Sequence, residues 1–102
     1  AVIAAHIPPT LRHLDLRLNF LGASGASALA RHLPPELVSL NLKYNSIGSA
    51  ASLAGLLPPS LVHLDLGWNE LPAGAAATQL GRHLPERLQV LDVSGNGWGE
   101  DD

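Results

Sequence analysis

The chain has 102 residues, which is enough for one domain, and 46% of them are hydrophobic while only 15% are charged. This composition argues for a folded chain and against an intrinsically disordered one. The formal net charge is −3 at pH 7 and no basic run is present. Nucleic acid and anionic membrane surfaces are therefore poor candidates for the main partner.

The sequence also lacks the features of disulfide-stapled, membrane-spanning and secreted proteins. There is no cysteine, which excludes disulfides and cysteine-based metal sites. No apolar run approaches the ~18 residues that a membrane helix needs, and no basic flank precedes Pro8, as a signal peptide would require. We therefore expect an intracellular protein, cytoplasmic or organellar. Because methionine is absent even from position 1, we also expect a segment of a longer protein or a processed product.

Residues 1–10 are predicted to be the end of a helix. Ile3 and Ile7 lie four positions apart and would share one helical face. Pro8 and Pro9 would end that helix, since proline is common just beyond a helix terminus. Prolines recur at equivalent places along the chain, as pairs at positions 34–35 and 58–59 and as a single proline at 85.

A short strand follows, within the pattern L-x-x-L-x-L-x-x-N of residues 11–19. Leu14 and Leu16 alternate with period 2 and would face one side of the strand, while the residues between them face the other. Asn19 would stand where the chain turns away from the strand. A buried amide at that place needs partners, and it can bond the backbone of its own and neighbouring turns.

The same pattern occurs four times, at residues 11–19, 37–45, 61–69 and 88–96. Its asparagines are spaced by 26, 24 and 27 positions, and self-similarity at such a period is typical of a solenoid. One strand cannot bury its apolar face alone, so stacked copies would build a continuous core. The repeated asparagine is therefore predicted to be structural rather than catalytic. The predicted asparagine ladder consists of Asn19, Asn45, Asn69 and Asn96.

Three helices are predicted between the strands. The first spans about residues 24–32, with Leu29 on its apolar face and a start rich in glycine and serine that suits a turn and an N-cap. The second is placed at about residues 49–57. The third is placed at about 73–83, because Pro72 is tolerated only near a helix start. Histidines are expected at helix ends, where they interact favourably with the helix dipole, at His6, His32 and His83.

Three columns of residues would line the strand face that is predicted to be concave, and a fourth runs beside them. Neighbouring strands lie ~4.8 Å apart, so each column is a ladder of close neighbours. In order along the chain, the columns are His13, Ser39, His63 and Val90; Asp15, Asn41, Asp65 and Asp92; Arg17, Lys43, Gly67 and Ser94; and Leu18, Tyr44, Trp68 and Gly95.

The pairs His13/Asp15 and His63/Asp65 suggest a metal site only at first sight. They lie two strands apart, roughly 9–10 Å at the usual spacing, which is too far for one ion between them. A single pair supplies two ligands, short of the usual three or four. A hydrogen-bonding column that offsets carboxylate repulsion is the favoured interpretation, so no metal and no cofactor are predicted.

No nucleophile, base and orienting group can be assembled from these residues either, so no enzyme is predicted. A metal-dependent enzyme built on these residues stays a remote alternative.

Two of the four aromatic residues, Tyr44 and Trp68, stand at the same repeat position beside the column of Arg17 and Lys43. Aromatic side chains next to basic ones on an exposed surface are typical of protein–protein hot spots. The alternative is that the two rings cover the rim of the sheet and pack on each other. We predict partner contact through the concave face, at His13, Asp15, Arg17, Lys43, Tyr44, His63, Asp65 and Trp68.

The chain resembles the leucine-rich repeat superfamily over nearly its full length. The N-x-L continuation from Asn19, followed by Gly25, Leu29 and Leu33, is most similar to the ribonuclease-inhibitor-like subclass. The resemblance implies an α/β solenoid: a right-handed horseshoe segment with a parallel concave sheet of four short strands and convex helices. The subclass includes inhibitors, activators of small GTPases and many intracellular scaffold proteins, so the resemblance implies protein binding. The repeats here are shorter than those of the inhibitor and vary in length. Neither the inhibitor's nor the GTPase activator's functional residues can be placed on this sequence.

We predict a single repeat domain over residues 1–102. Residues 1–10 would end a preceding repeat, 11–36, 37–60 and 61–87 would be full repeats, and 88–102 a truncated one. The predicted function is a non-catalytic scaffold that binds a protein partner mainly through the concave face. The alternative is a structural subunit, or a fragment of a larger repeat protein, built into a multi-protein assembly. Further repeats or neighbouring subunits would cover both ends, because solenoids need capping repeats.

Overall fold

The computed structural model describes residues 7–49, 53, 55–72, 74, 78 and 84–96. Its framework is one sheet of four parallel strands in chain order. The strands are β1 (His13–Asp15), β2 (Ser39–Asn41), β3 (His63–Asp65) and β4 (Val90–Asp92). Helix α1 (Gly22–Ala30) lies between β1 and β2 in the sequence. The parallel sheet predicted for a leucine-rich repeat solenoid is confirmed.

Every strand is preceded by the same proline turn. In each repeat the N–H of the first framework leucine donates to the carbonyl of a proline three residues earlier, at 3.1–3.2 Å. Proline has a fixed φ and no N–H, so it suits a turn that ends one element and starts the next. The four pairs are Leu11 with Pro8, Leu37 with Pro34, Leu61 with Pro58, and Leu88 with Pro85. The prolines therefore set where each strand begins.

The strands pair in one register throughout, because the repeats place equivalent residues side by side. Leu14, Leu40, Leu64 and Leu91 are aligned across the sheet. Backbone hydrogen bonds continue this register beyond the strands into the turn that follows each of them. A slip of one residue would turn every leucine to the other face, so burial of the leucines holds the register.

The core is a stack of framework leucines that is sealed in the middle and open at both ends. In the second and third repeats these leucines are at most 2% exposed: Leu37, Leu40, Leu42, Leu61, Leu64 and Leu66. Their equivalents in the first and fourth repeats are only partly buried: Leu14, Leu16, Leu88, Leu91 and Val93. A middle leucine has neighbouring repeats on both sides, whereas an end leucine has a neighbour on one side.

The observed helix differs from the predicted one at both ends. Helix α1 begins at Gly22 and ends at Ala30, so it starts and stops two residues before the predicted bounds of 24 and 32. Its N-cap is Leu21, without a side-chain hydrogen bond, so the predicted glycine and serine cap is wrong. The neighbouring repeat sets the start instead, since the Gly22 N–H donates to the Asn45 carbonyl at 2.9 Å. His32 lies just beyond the C-cap residue Arg31 rather than at the end of the helix itself, and its interaction with the helix dipole stays a prediction.

The second predicted helix, at residues 49–57, is replaced by turns among the residues described there. Leu53, Gly55 and Leu56 lie in turns, and the Leu56 N–H donates to the Leu53 carbonyl at 3.0 Å. This crossover is shorter than the first, with 8 rather than 10 positions from the asparagine to the framework leucine, which leaves less chain for a helix.

In the third crossover, Gly74 and Thr78 are helical, as predicted for residues 73–83. The Thr78 hydroxyl donates to the Gly74 carbonyl at 3.1 Å, one helical turn back. The remaining residues of that helix, the helix predicted to end with His6, and the dipole contacts of His6 and His83 lie outside the described residues. No helix within the described ranges is long and apolar enough to cross a membrane.

Candidate protein-binding face

The strand residues between the framework leucines form the outer face of the sheet. In β2 and β3 the central leucine is buried, while its two neighbours are exposed or half-buried. Alternation of this kind sends two side chains per strand to the face. The aligned columns are His13, Ser39, His63 and Val90, and Asp15, Asn41, Asp65 and Asp92. Both His–Asp pairs that the sequence singled out therefore lie on this face, with β2 between them.

The two basic residues beside this face are paired with carboxylates. Arg17 Nε lies 3.1 Å from Asp15 Oδ1 in its own repeat. Lys43 Nζ lies 3.6 Å from Asp65 Oδ2 in the next repeat. Surface ion pairs of this kind contribute about 0–1 kcal/mol each to stability. Each pair also neutralises one cation locally, so these two residues do not form a free basic patch for an acidic partner.

A polar side chain at the end of each strand closes the turn that follows. Its Oδ1 atom accepts the backbone N–H two residues later, at 2.9–3.1 Å, in all four repeats: Asp15, Asn41, Asp65 and Asp92. At Asp92 the Ser94 hydroxyl donates to the same oxygen at 2.6 Å. The hydroxyl and then the N–H of Ser94 hold the pKa of the Asp92 carboxyl below its ordinary value. The residues of this column, three aspartates and one asparagine, therefore have a structural role in closing the turns.

The histidine column makes a hydrogen bond at its first step, where His13 Nδ1 and Ser39 Oγ lie 2.8 Å apart. Among the described residues, no group of three or more His, Cys, Asp or Glu side chains could hold a metal ion. An open groove of about 320 Å³ runs over this part of the face, and its polar lining is His13, Asp15, Ser39, Asn41, His63 and Asp65. The groove presents hydrogen-bond donors and acceptors rather than a set of metal ligands.

The asparagines link each turn to the turn of the preceding repeat. Asn45 Oδ1 accepts the N–H groups of Asn19 and Leu21, at 2.9 and 3.4 Å. Its Nδ2 donates to the carbonyls of Leu16 and Leu42, at 2.8 and 3.0 Å. The two later asparagines repeat this arrangement further along the chain. Asn45 itself is fully buried, and no buried side-chain nitrogen or oxygen in the described ranges lacks a partner.

The residue before each asparagine, and the residue after each of the first three, has a left-handed backbone conformation. Before the asparagine, φ is +61° at Leu18, +59° at Tyr44, +55° at Trp68 and +75° at Gly95. After the asparagine, φ is positive at Phe20, Ser46 and Glu70. This conformation costs a residue with a Cβ roughly 1–2 kcal/mol. Gly95 shows that glycine occupies the position before the asparagine, so the fold needs the conformation but no large side chain there.

The residues before the asparagines, Leu18, Tyr44, Trp68 and Gly95, form a ridge beside the outer face, here named the aromatic column. The rings of Tyr44 and Trp68 stack, with centroids 5.7 Å apart and planes 9° apart. Trp68 also lies against Gly95, where a Cβ would overlap ring atom Cδ2 of the tryptophan. Even so, 43% of Tyr44 and 49% of Trp68 are exposed. The rings therefore pack on each other, as one interpretation of the sequence held, and still present area to a partner.

Sequence reasoning missed two features of this ridge. Leu18 and its neighbour Phe20 are 63% and 83% exposed in the turn after β1, which the framework pattern does not indicate. The contact between Trp68 and Gly95 was also missed. Its signal was present in the sequence, since glycine replaces a bulky residue at that position only in the repeat after Trp68.

Comparisons with known proteins agree with this architecture. Residues 8–30 and 58–71 match a family model described as Leucine Rich repeat. The crystal structure of the leucine-rich repeat-containing protein LegL7 from Legionella pneumophila is similar, with a TM-score of 0.63 and 21% sequence identity. The match covers 90% of this chain and 41% of that chain, so this chain spans less than half the length of the LegL7 structure. No significant match was found among curated proteins. The likeness shows the repeat fold, while the ribonuclease-inhibitor-like subclass stays a prediction.

Proposed function

We propose that this leucine-rich repeat protein is a non-catalytic scaffold that binds a protein partner, mainly through the outer face of its sheet. The observation that carries the proposal is the aromatic column. Two stacked and half-exposed rings, Tyr44 and Trp68, stand at positions where the fold requires only a left-handed backbone. Glycine at these positions would relieve the backbone strain, as it does at Gly95.

The energetics of the two rings favour recognition over stability as their role. A stacked aromatic pair contributes about 0.5–1.5 kcal/mol beyond its buried area. The left-handed conformation costs roughly 1–2 kcal/mol at each of Tyr44 and Trp68. Strain and stacking therefore roughly cancel, so only the half-buried area of the rings adds net stability to the folded chain. Aromatic side chains dominate binding hot spots, because a rigid ring buries a large area at a low cost in conformational entropy.

The surroundings of the ridge resemble the composition of a protein–protein interface. Interfaces combine an apolar centre with a polar rim that supplies hydrogen bonds. Here the aromatic column provides the apolar part, and the adjacent groove provides the polar part through side chains such as His13, Asn41 and His63. The ion pairs of Arg17 and Lys43 separate the two parts. We propose that a partner contacts both the aromatic column and the polar groove.

A second candidate function is a structural subunit or fragment built into a larger assembly. The half-buried leucines at both ends of the core favour it, because such surfaces are covered in longer solenoids. A chain of this kind should be poorly soluble or unfolded by itself, whereas a self-standing binding module should unfold cooperatively. For either function we propose an intracellular location, since the chain has no cysteine with which to form disulfides.

The test of the binding proposal replaces Tyr44 and Trp68 together by glycine, which removes both rings and suits the positive φ. The parent protein, with and without Tyr44→Gly and Trp68→Gly, would capture partners from source extract for mass spectrometry. We expect one specific partner to be lost, while the variant still folds and its free energy of unfolding falls by about 1–3 kcal/mol, since strain relief offsets the lost stack but not the half-buried ring area.

The matched control is Leu56→Ser, which removes an exposed apolar side chain from the turn of the second crossover. This control should retain the partner. If the double variant kept the same partner set as the control, the outer face would not be the contact surface. If the double variant instead no longer unfolded cooperatively, the rings would be structural.

A further inference from the structure

The basic residues beside the outer face are confined to its first two repeats. The third column of the face contains Arg17 and Lys43 in those repeats, but Gly67 and Ser94 in the last two. Arg17 pairs with the aspartate of its own repeat, and Lys43 pairs with the aspartate of the following repeat. A cation in this column therefore reaches a strand-end carboxylate from the same repeat or from the preceding one.

Asp92, at the end of β4, is a carboxylate that both of these places leave without a cation. Its own repeat has Ser94 in the third column, and the preceding repeat has Gly67. Asp92 forms no ion pair with a described residue. Hydrogen bonds from Ser94 lower the pKa of Asp92 most, while the charge of Lys43 contributes least. The missing cation follows from the residues of these two repeats and does not depend on what precedes or follows them.

The half-exposed ring of Trp68 lies next to this carboxylate. Ser94 joins the two, because its carbonyl accepts the Trp68 N–H at 2.9 Å and its hydroxyl donates to Asp92 at 2.6 Å. Glu70, two positions after Trp68, is exposed and has no ion pair within the described part of the chain. Apolar ring surface and two carboxylates without an ion pair are therefore found together in the third and fourth repeats.

A long cationic side chain has the two properties that this surface complements. Arginine and lysine carry an apolar stem, which packs on apolar surface, and a charged head, which stays in a polar environment. A carboxylate accepts stronger hydrogen bonds from such a head than from a neutral donor. An acidic segment would be repelled by Asp92 and Glu70, and a neutral apolar segment would desolvate Asp92 without giving it a partner.

We infer that the protein partner presents an arginine or lysine side chain here, with its stem against Trp68 and its head at the Asp92 carboxylate. This inference rests on the proposed function, since it names the chemistry of the segment that meets the aromatic column. In the first two repeats Arg17 and Lys43 already take the place of such a cation. The third and fourth repeats therefore decide the charge of the partner.

The chain itself supplies the pattern for two variants that remove the site and keep the turn. Asn41 stands in β2 where Asp92 stands in β4, and the Oδ1 atoms of both accept the N–H two residues later, at 3.0 and 2.9 Å. Asp92→Asn therefore removes only the charge. In the first repeat, Arg17 Nε lies 3.1 Å from Asp15. Ser94→Arg reproduces that pair and supplies the cation from within the chain.

The experiment selects binders from a displayed library of random peptides on the full chain and reads them by sequencing. Arginine and lysine should be enriched among the peptides selected on the unaltered chain. This enrichment should be lost on Asp92→Asn and on Ser94→Arg. The matched control is Glu36→Gln, which removes one exposed carboxylate before β2, at the other end of the strands. The control should keep the enrichment.

A titration of the most enriched peptide then tests the pairing itself. The dissociation constant should rise by about tenfold in Asp92→Asn, because one charge-assisted hydrogen bond is lost. It should change little in Glu36→Gln. A peptide with glutamine in place of its cation should bind the unaltered chain more weakly, yet bind Asp92→Asn no more weakly than the original peptide does. This non-additivity is the signature of a direct contact between the two groups.

Three results would overturn the inference: no selected peptide, selected peptides without enrichment of arginine or lysine, or cationic peptides that bind Asp92→Asn as tightly as the unaltered chain. The variant with Tyr44→Gly and Trp68→Gly separates this inference from the proposed function. Peptides that lack a cation but need both rings would contradict the inference and leave binding at the outer face standing. Peptides that bind the double variant unchanged would contradict both.

Discussion

Asparagine is the residue that joins one repeat to the next. Asn69 is fully buried, accepts the N–H groups of Asn45 and Ile47, and donates to the carbonyls of Leu42 and Gly67. Its side chain thus satisfies four backbone groups that otherwise lack partners at the turn. Asn19 holds the equivalent position in the first repeat but is exposed, and among the described residues its side chain makes only two donor contacts, both within its own turn. The same residue type therefore contributes very different stability at the two sites.

Replacing Asn69 by alanine should lower the free energy of unfolding by at least about 3 kcal/mol, because buried N–H groups are left without acceptors at about 1–3 kcal/mol each. Asn19→Ala is the matched control. It should cost about 1 kcal/mol, since the carbonyls that lose a donor are accessible to water. Urea denaturation of both variants measures the difference. Equal losses would show that the ladder does not carry the stability assigned to it.

The strand and its following turn form the repeated element of this fold. A side-chain oxygen at the last strand residue accepts the N–H two positions later in every repeat. This turn depends on residues close in sequence, so it recurs wherever Asp or Asn ends the strand. The crossovers depend instead on their neighbours. Helix α1 starts where Gly22 meets the Asn45 carbonyl of the next repeat, and the shorter second crossover forms turns at Leu53 and Leu56.

The turn after β4 predicts a pH dependence of stability. The Ser94 hydroxyl and N–H hold the pKa of Asp92 below its ordinary value. Because the native pKa lies below that of the unfolded chain, the contribution is fully present above the ordinary carboxyl pKa, about 4, and is lost as the pH falls through the native value.

Replacing Ser94 by alanine removes the larger of the two causes. The acid side of the stability curve should therefore be shallower in Ser94→Ala than in the unaltered chain, with the two curves converging at the lowest pH. Thermal melts between about pH 2 and 6 provide the measurement. The variant Asp92→Asn, which cannot titrate, serves as the reference for a curve without this carboxyl. An unchanged acid limb in Ser94→Ala would refute the assignment of the shift to that hydroxyl.

The molecule as a whole is a stack whose stability is concentrated in its middle. Solenoid repeats contact only their neighbours, so a central repeat has two interfaces and an end repeat has one. The framework leucines of the second and third repeats are sealed accordingly, while those of the first and fourth are half-buried. Leu18 and Phe20, which follow β1 in the first repeat, are exposed.

Replacing one framework leucine by alanine, at equivalent positions of a middle and an end repeat, tests whether stability is concentrated in the middle. Leu64→Ala should cost about 2–5 kcal/mol, because it leaves a cavity in a sealed core. Leu14→Ala, at the same position of β1, should cost clearly less, since its side chain is already partly exposed and the site can relax into water. Denaturant unfolding compares the two directly. Similar losses at both positions would mean that the end repeat is as tightly packed as the middle.

Much of the fold could be predicted from the sequence by itself, because each repeat pattern is formed by residues close together in the chain. The spacing of Leu14 and Leu16 within one pattern, and the return of that pattern near every 25 positions, determined the strands, their parallel order and their register. The side-chain columns of the face follow from that register alone. The asparagine bonds were foreseeable too, since a buried amide at a turn must find backbone partners.

Tertiary structure alone decided the features that differ from one repeat to the next. The bounds of α1 depend on a carbonyl at Asn45, which lies in the next repeat, so no local cap could indicate them. The stack of Tyr44 on Trp68 and of Trp68 on Gly95 depends on which side chains meet across repeats. The burial of each leucine depends on how many repeats flank it. A periodic sequence specifies what every repeat shares, whereas contacts between unlike neighbours are set only once the repeats are stacked.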